Sequence, residues 1–203
     1  IYSLPSAFVN KVITQSPTFL LGYFFSSIQV GKYGLCERLI GIPTALISEA
    51  TSNVFRGELS NSSDNSHKKS VFYKVFKRLL IIGVPIFAIL YLLGGDLILY
   101  IFGNNWTLAA EYSKYLVIPL LFQFVCTPLT FILFYFEKQE LEFKIQLFSI
   151  FLLASCIYLS KNLLIEDTNL IILLIINTVI RVSLEFFYSF KTIQKLETAI
   201  PNT

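Results

Sequence analysis

The chain has 203 residues, 55% hydrophobic and 14% charged, with a formal net charge of +3. Soluble globular domains run about 45–50% apolar and about 25% charged, so a soluble enzyme, a disordered segment, a collagen-like chain and a disulfide scaffold are all excluded. The apolar residues come in long blocks, too many for a single anchor. The expected fold class is all-α: a polytopic membrane bundle of transmembrane helices.

There is no Met in the sequence, so Ile1 is not an unprocessed start, and no signal peptide opens the chain. A piece of a longer protein is the expectation. Cys36, Cys126 and Cys156 are scattered through apolar surroundings without ligand spacing. They read as small core residues, not as a disulfide or metal set.

A helix crossing about 30 Å of hydrocarbon takes about 20 mostly apolar residues, because lipid offers an unpaired backbone group no partner. Six candidate spans follow in chain order: 5–25, 34–54, 79–93, 115–136, 143–159 and 169–190. The long polar connector is a cytoplasmic loop over 57–78. Its first part, GELSNSSDNSHKKS over 57–70, reads as flexible, with His67 merely solvated. From Lys68 to Leu80, cations alternate with Val71, Phe72, Val75, Phe76 and Leu79 at helical spacing. Such an amphipathic helix is expected to lie in a headgroup layer before turning into the third span.

Charge orients the spans. The loops after the second, fourth and sixth hold ten cations, namely Arg56, Lys68, Lys69, Lys74, Lys77, Arg78, Lys138, Lys144, Lys191 and Lys195. The opposite loops hold Lys32, Lys114 and Lys161. This positive-inside pattern puts both ends of the chain in the cytoplasm. Trp106, with Tyr100 and Tyr112, is expected at the outer interface, where amphipathic rings settle.

An ionisable group inside a span costs about 2.5–3.5 kcal/mol on insertion scales, so each needs an account. In the first span Lys11, Thr14, Gln15 and Thr18 share one face with Gly22. That face reads either as a helix-packing stripe or as the lining of a wet cavity. In the second, Gly31, Gly34, Arg38, Gly41, Ala45, Ser48, Glu49 and Ser52 share an arc, and Pro43 interrupts the backbone ladder. Arg38 and Glu49 are too far apart to pair. A buried lone carboxylate would be neutral and able to carry a proton, which makes Glu49 a candidate coupling-proton site. In the sixth span Asn177, Arg181, Glu185 and Tyr188 share a face, and Arg181 and Glu185 are i,i+4 neighbours placed to form an intramembrane pair. Pro17, Pro43, Pro85, Pro119 and Pro128 all fall within spans.

No nucleophile elbow, paired-carboxylate loop, metalloprotease motif, phosphate-cradling loop or ATPase signature is present. No catalytic residue, metal, cofactor or nucleic-acid partner is expected, and the chain does not read as an enzyme.

Three stretches carry a family likeness. YSLPSAFVNKVITQSPTFLLGYFFSSIQVGKYGL, from Tyr2 to Leu35, resembles the seventh helix and following turn of bacterial oligosaccharide flippases. RLIGIPTALISEATSNVFR, from Arg38 to Arg56, is similar to their eighth helix. FGNNWTLAAEY, from Phe102 to Tyr112, is similar to the outer turn before the tenth. These are the Wzx-type O-antigen and capsule repeat-unit transporters of the multidrug/oligosaccharidyl-lipid/polysaccharide (MOP) exporter superfamily. The resemblance implies that residues 1–203 form the C-terminal lobe of a two-lobe transporter of the inner membrane, whose N-terminal lobe is its partner. It also implies flipping of undecaprenyl-pyrophosphate-linked oligosaccharide by alternating access, with a polysaccharide polymerase as a further partner. On that reading Lys11 and Arg38 contact phosphate or glycan, and Thr14, Gln15 and Thr18 bond sugar hydroxyls. Two other readings stand beside it: a cation-coupled multidrug antiporter of the same superfamily, and a membrane glycosyltransferase or polymerase of the same pathway.

Overall fold

The computed structural model describes residues 3–61, 64–163 and 167–198. All the described elements are helical: α1 (Ser3–Phe24), α2 (Ser27–Asn61), α3 (Asn65–Phe102), α4 (Thr107–Cys126), α5 (Phe131–Tyr135), α6 (Gln139–Leu163) and α7 (Asp167–Thr198). Short 3-10 turns at Asn104–Trp106 and Thr127–Leu129 link α3 to α4 and α4 to α5. Helix α4 is central, packing against α2, α3 and α7; α6 pairs with α7, and α1 lies on α6 and α2.

Among the described residues four stretches are long and apolar enough to cross a membrane: Asn65–Phe102, Asn104–Tyr135, Gln139–Tyr158 and Thr168–Lys195. The chain is a multi-pass helical membrane protein. Helices α1 and α2 form where the first two spans were expected, yet neither is among the four, so the expected count of six is not confirmed. The reason is their polar faces. Lys11, Thr14, Gln15 and Thr18 dilute the apolarity of α1, and Glu37, Arg38, Ser48, Glu49 and Ser52 dilute that of α2.

The connector expectation is overturned. Helix α2 continues through Gly57 to Asn61, and α3 has begun by Asn65, so most of the stretch 57–70 is helix; Ser62 and Ser63 lie outside the described residues. Asp64 is the N-cap of α3. Ser66 donates to it twice, from its backbone N–H (2.9 Å) and from its hydroxyl (2.6 Å), the capping geometry that satisfies an otherwise orphaned helix-start donor. Those donors, the hydroxyl foremost, hold the Asp64 carboxyl below its ordinary range.

The amphipathic segment 68–80 also behaves differently from expectation. It is the first part of α3 and does not turn into a separate span. At about 1.5 Å per residue the 38 residues of α3 reach about 57 Å, well beyond about 30 Å of hydrocarbon. Its apolar face meets protein: Val71 and Phe72 are buried with Phe55 and Leu59 of α2, Leu129, Ile132 and Ile193 of α7. The period was legible, but the partner of the apolar face is a helix bundle and not the headgroup layer.

Small residues bring α3 and α4 together. A side chain on Gly83 would stand 2.9 Å from the Phe124 ring, and one on Gly95 would stand 3.2 Å from the Ala110 carbonyl oxygen. Close approach through glycine is how membrane helices gain packing where lipid supplies no hydrophobic drive. Pro17, Pro43, Pro85 and Pro119 sit inside continuous helices, whereas Pro128 falls in the 3-10 turn that separates α4 from α5. Gly103, at φ 85°, ends α3 and donates its N–H to Leu99 O. Around it Trp106 is half-buried and Tyr100 exposed, but Tyr112, expected at the interface with them, is fully buried in the core. Its position one helical face round α4 turns it inward.

Candidate functional site

A cleft of about 560 Å³ lies between α2 and the α4–α5 segment. One wall is the arc of α2 read from sequence: Gly41, Ala45, Ser48, Glu49 and Ser52, joined by Thr44, Asn53 and Arg56. The spacing is helical, so a continuous polar strip faces the cleft. Opposite stand Gln123, Thr127 and Thr130, with Phe124, Phe131 and Phe134 between them, and α6 contributes Glu142. Arg56 lays its guanidinium 4.7 Å from the centre of the Phe131 ring, a cation–π contact. Phe134, half exposed, stacks on Phe131 at 5.6 Å. Two hydroxyls are already engaged: Thr44 donates to Ile40 O and Gly41 O, and Thr130 to Thr127 O, each at 2.9 Å.

A second, smaller cavity of about 90 Å³ lies between α1, α2, α4 and α7, lined by Thr14, Tyr33, Glu37, Gln123, Thr178 and Arg181 among others. Gln123 borders both.

The residues expected to share one site are therefore split. Glu49 lies in the large cleft and Thr14 at the small cavity. Lys11, Gln15 and Arg38 are exposed and line neither; Thr18 is half-buried and lines neither. Thr14 donates its hydroxyl to Lys11 O at 3.1 Å, a bond within its own helix. Arg56, Asn53, Gln123, Thr127, Thr130 and Glu142 were not anticipated. For Asn53 and Arg56 the signal was present, since they extend the α2 arc by one turn. Gln123 and Glu142 are contributed by helices far along the chain and had no local signal.

The polar groups of α6 and α7 take a different course. Arg181 Nη1 donates to Glu185 Oε1 at 3.0 Å and to Asn10 Oδ1 of α1 at 3.4 Å, and both members of the ion pair are buried. Ser149 donates to Asn177 at 3.0 Å, and Ser6 donates to Gln146 at 3.0 Å. Gln146 in turn donates to Glu142 Oε1 at 3.4 Å. These bonds seal a seam of α1, α6 and α7, with Arg181 Nε left as a buried donor without a partner. Among the described residues no cluster of His, Cys, Asp and Glu is placed to hold a metal.

Fold and cleft together define a multi-pass helical membrane protein with a polar hollow beside its central helix. Residues 1–111 match the family model described as polysaccharide biosynthesis protein, and the chain belongs to that family. No curated protein and no solved structure matches it.

Proposed function

We propose that this chain is one lobe of a flippase that carries an undecaprenyl-pyrophosphate-linked oligosaccharide across the cytoplasmic membrane for surface polysaccharide assembly. One observation carries the reading: in a member of a polysaccharide biosynthesis family, the polar arc of a membrane-associated helix lines a 560 Å³ cleft instead of being sealed by a neighbour. The physical task is the headgroup. Moving a bare charge into hydrocarbon costs tens of kcal/mol, so a hydrated glycan on a pyrophosphate needs a wet, hydrogen-bonding route while its tail stays in lipid.

In this reading the chain works against an N-terminal lobe by alternating access and performs no covalent chemistry. A polysaccharide polymerase receives the product, and both ends of the chain are cytoplasmic. The exposed Lys11 and Arg38 meet the pyrophosphate, Thr14, Gln15 and Thr18 meet sugar, and Glu49 exchanges a coupling proton. Replacing Lys11 and Arg38 together with Gln in the intact protein is expected to abolish surface polysaccharide while leaving protein levels unchanged. Undiminished polysaccharide would remove both residues from the cargo route.

A cation-coupled drug antiporter is favoured by one feature, the two carboxylates Glu49 and Glu142 against one guanidinium in the cleft. Proteoliposomes distinguish the two: uptake of an organic cation driven by a proton gradient supports the antiporter, and transbilayer movement of the lipid-linked oligosaccharide supports the flippase.

A further inference from the structure

The chemistry of the α2/α4–α5 cleft separates the two parts of the cargo headgroup, and this inference rests on the flippase reading above. A pyrophosphate needs clustered cations or convergent N–H groups. The cleft has one cation, Arg56, and that guanidinium is already held against the Phe131 ring. Glu49 and Glu142 add two carboxyl groups and no cation to the lining. A carboxylate at close quarters repels an anion, and a carboxyl offers it no clustered positive charge. The cleft therefore suits an anion poorly.

What it offers instead suits an uncharged, hydroxyl-rich ring. Ser48, Ser52, Asn53 and Gln123 present hydroxyls and amides toward the hollow, groups that both donate and accept. No hydrogen bond among the described residues engages these side chains, so their capacity is open to a ligand. Carboxylates at Glu49 and Glu142 add acceptors for sugar O–H donors. Beside them the half-exposed Phe134 ring, backed by Phe131, supplies a flat apolar surface of the kind that the C–H face of a sugar ring covers. The volume of about 560 Å³ falls in the range of about 300–1,000 Å³ typical of small-molecule sites.

We infer that the α2/α4–α5 cleft is a saccharide subsite: it takes one or two neutral sugar rings of the cargo, stacked on Phe134 and bonded by Ser48, Ser52 and Asn53, and excludes the pyrophosphate. The phosphates then lie outside the cleft, met by the exposed Lys11 and Arg38.

Labelling of a cysteine in the cleft tests this. Cys36, Cys126 and Cys156 are buried, so Ala45→Cys, on the exposed wall of the cleft, in the intact, detergent-solubilised protein gives a maleimide signal read as the difference from the parent protein. The probes are the undecaprenyl-pyrophosphate-linked oligosaccharide pool extracted from cells that make it, and bare undecaprenyl pyrophosphate. At saturating concentration the sugar-bearing lipid is expected to slow labelling about fivefold or more and the bare lipid less than about twofold, the occupancy effect of a ligand that needs its sugar. Phe134→Ala in the same background should remove the protection, and Phe134→Trp should restore it.

Equal protection by both lipids would make the cleft a phosphate site and overturn the inference. No protection, with transport of the same pool intact in proteoliposomes, would overturn it while leaving the flippase reading standing. Protection without transport would keep the saccharide subsite and remove the flippase reading. Absence of both would remove the two together.

Discussion

The seam of α1, α6 and α7 and the cleft between α2 and α4–α5 are made from the same kinds of side chain and end in opposite states. Along the seam, Arg181, Glu185, Asn10, Ser149, Asn177, Ser6 and Gln146 find one another, and nearly every polar group is answered within the protein. Along the cleft, Ser48, Glu49, Ser52 and Asn53 face a hollow. The difference lies in what packs opposite. A continuous α7 lies against α6 along the seam, whereas the segment facing the α2 strip changes from α4 through the Thr127–Leu129 turn to the short α5, the turn still packed on α2. Polar residues in a membrane helix thus act as glue when a partner helix is continuous, and line a route when it is interrupted.

If that contrast is right, removing a carboxylate should matter greatly on one side and little on the other. Glu185→Ala leaves the Arg181 charge buried without its partner and is expected to cost about 3–5 kcal/mol. Glu49→Ala should stay within about 0.5 kcal/mol. Reversible unfolding of the detergent-solubilised protein measures both, and comparable losses at the two positions would erase the distinction.

The next effect probes the wall behind the cleft. Gly83→Val drives a side chain into Phe124, which lines the cleft from the α4 side, and overpacking of this kind costs about 1–3 kcal/mol. Because Phe124 must shift, the accessibility of Ala45→Cys to maleimide should change as well. Unchanged stability and labelling would mean that α3 does not buttress the hollow.

A smaller loss is expected within the seam. Asn177→Leu strands the Ser149 hydroxyl, at about 0.6–2 kcal/mol for a hydrogen bond between membrane helices. Adding Ser149→Ala should recover much of it, since no orphaned donor then remains. A double variant no better than the single would show that the pair is not coupled.

The smallest effect lies outside both regions, at the α3 N-cap, and carries a pH sign. The Asp64 carboxyl titrates below its ordinary range in the folded chain, so its stabilisation is present above the unfolded-state value and is lost as pH falls through the folded one. The stability gap between the natural protein and Asp64→Ala should be constant near neutrality and close in acid. A gap that widened in acid would contradict the capping role.

Specific residues show where reading the sequence succeeds and where it stops. The spacing of Arg181 and Glu185 announced a pair, and a pair forms at 3.0 Å. Asn10, which completes it, lies 171 positions away and left no local trace. The α2 arc was legible from Gly41 to Ser52 because helical period fixes which side chains share a face. Arg38, with Gly31 and Gly34, was read as part of the same arc and Lys11 as part of the α1 stripe, yet these lie outside the lining of both cavities. The polar run over 57–70 looked like a loop because Ser, Asn and Gly favour turns, yet buried contacts of Phe55, Leu59 and Phe72 hold the flanking helices through most of it.

Composition and period by themselves determined that this protein is an all-helical membrane bundle, roughly where its helices run, and which polar residues lie on a common face. Those properties depend on the cost of unpaired backbone in lipid and on the pitch of a helix, both local. Tertiary structure alone decided which polar face is closed and which stays open, that Gln123 and Glu142 join α2 in one cleft, and that the amphipathic start of α3 rests on protein. The physical reason is that a helix face specifies only that it needs a neighbour, while the neighbour's continuity, set here by the break at Pro128, decides whether that need is met by side chains or left for water and a ligand.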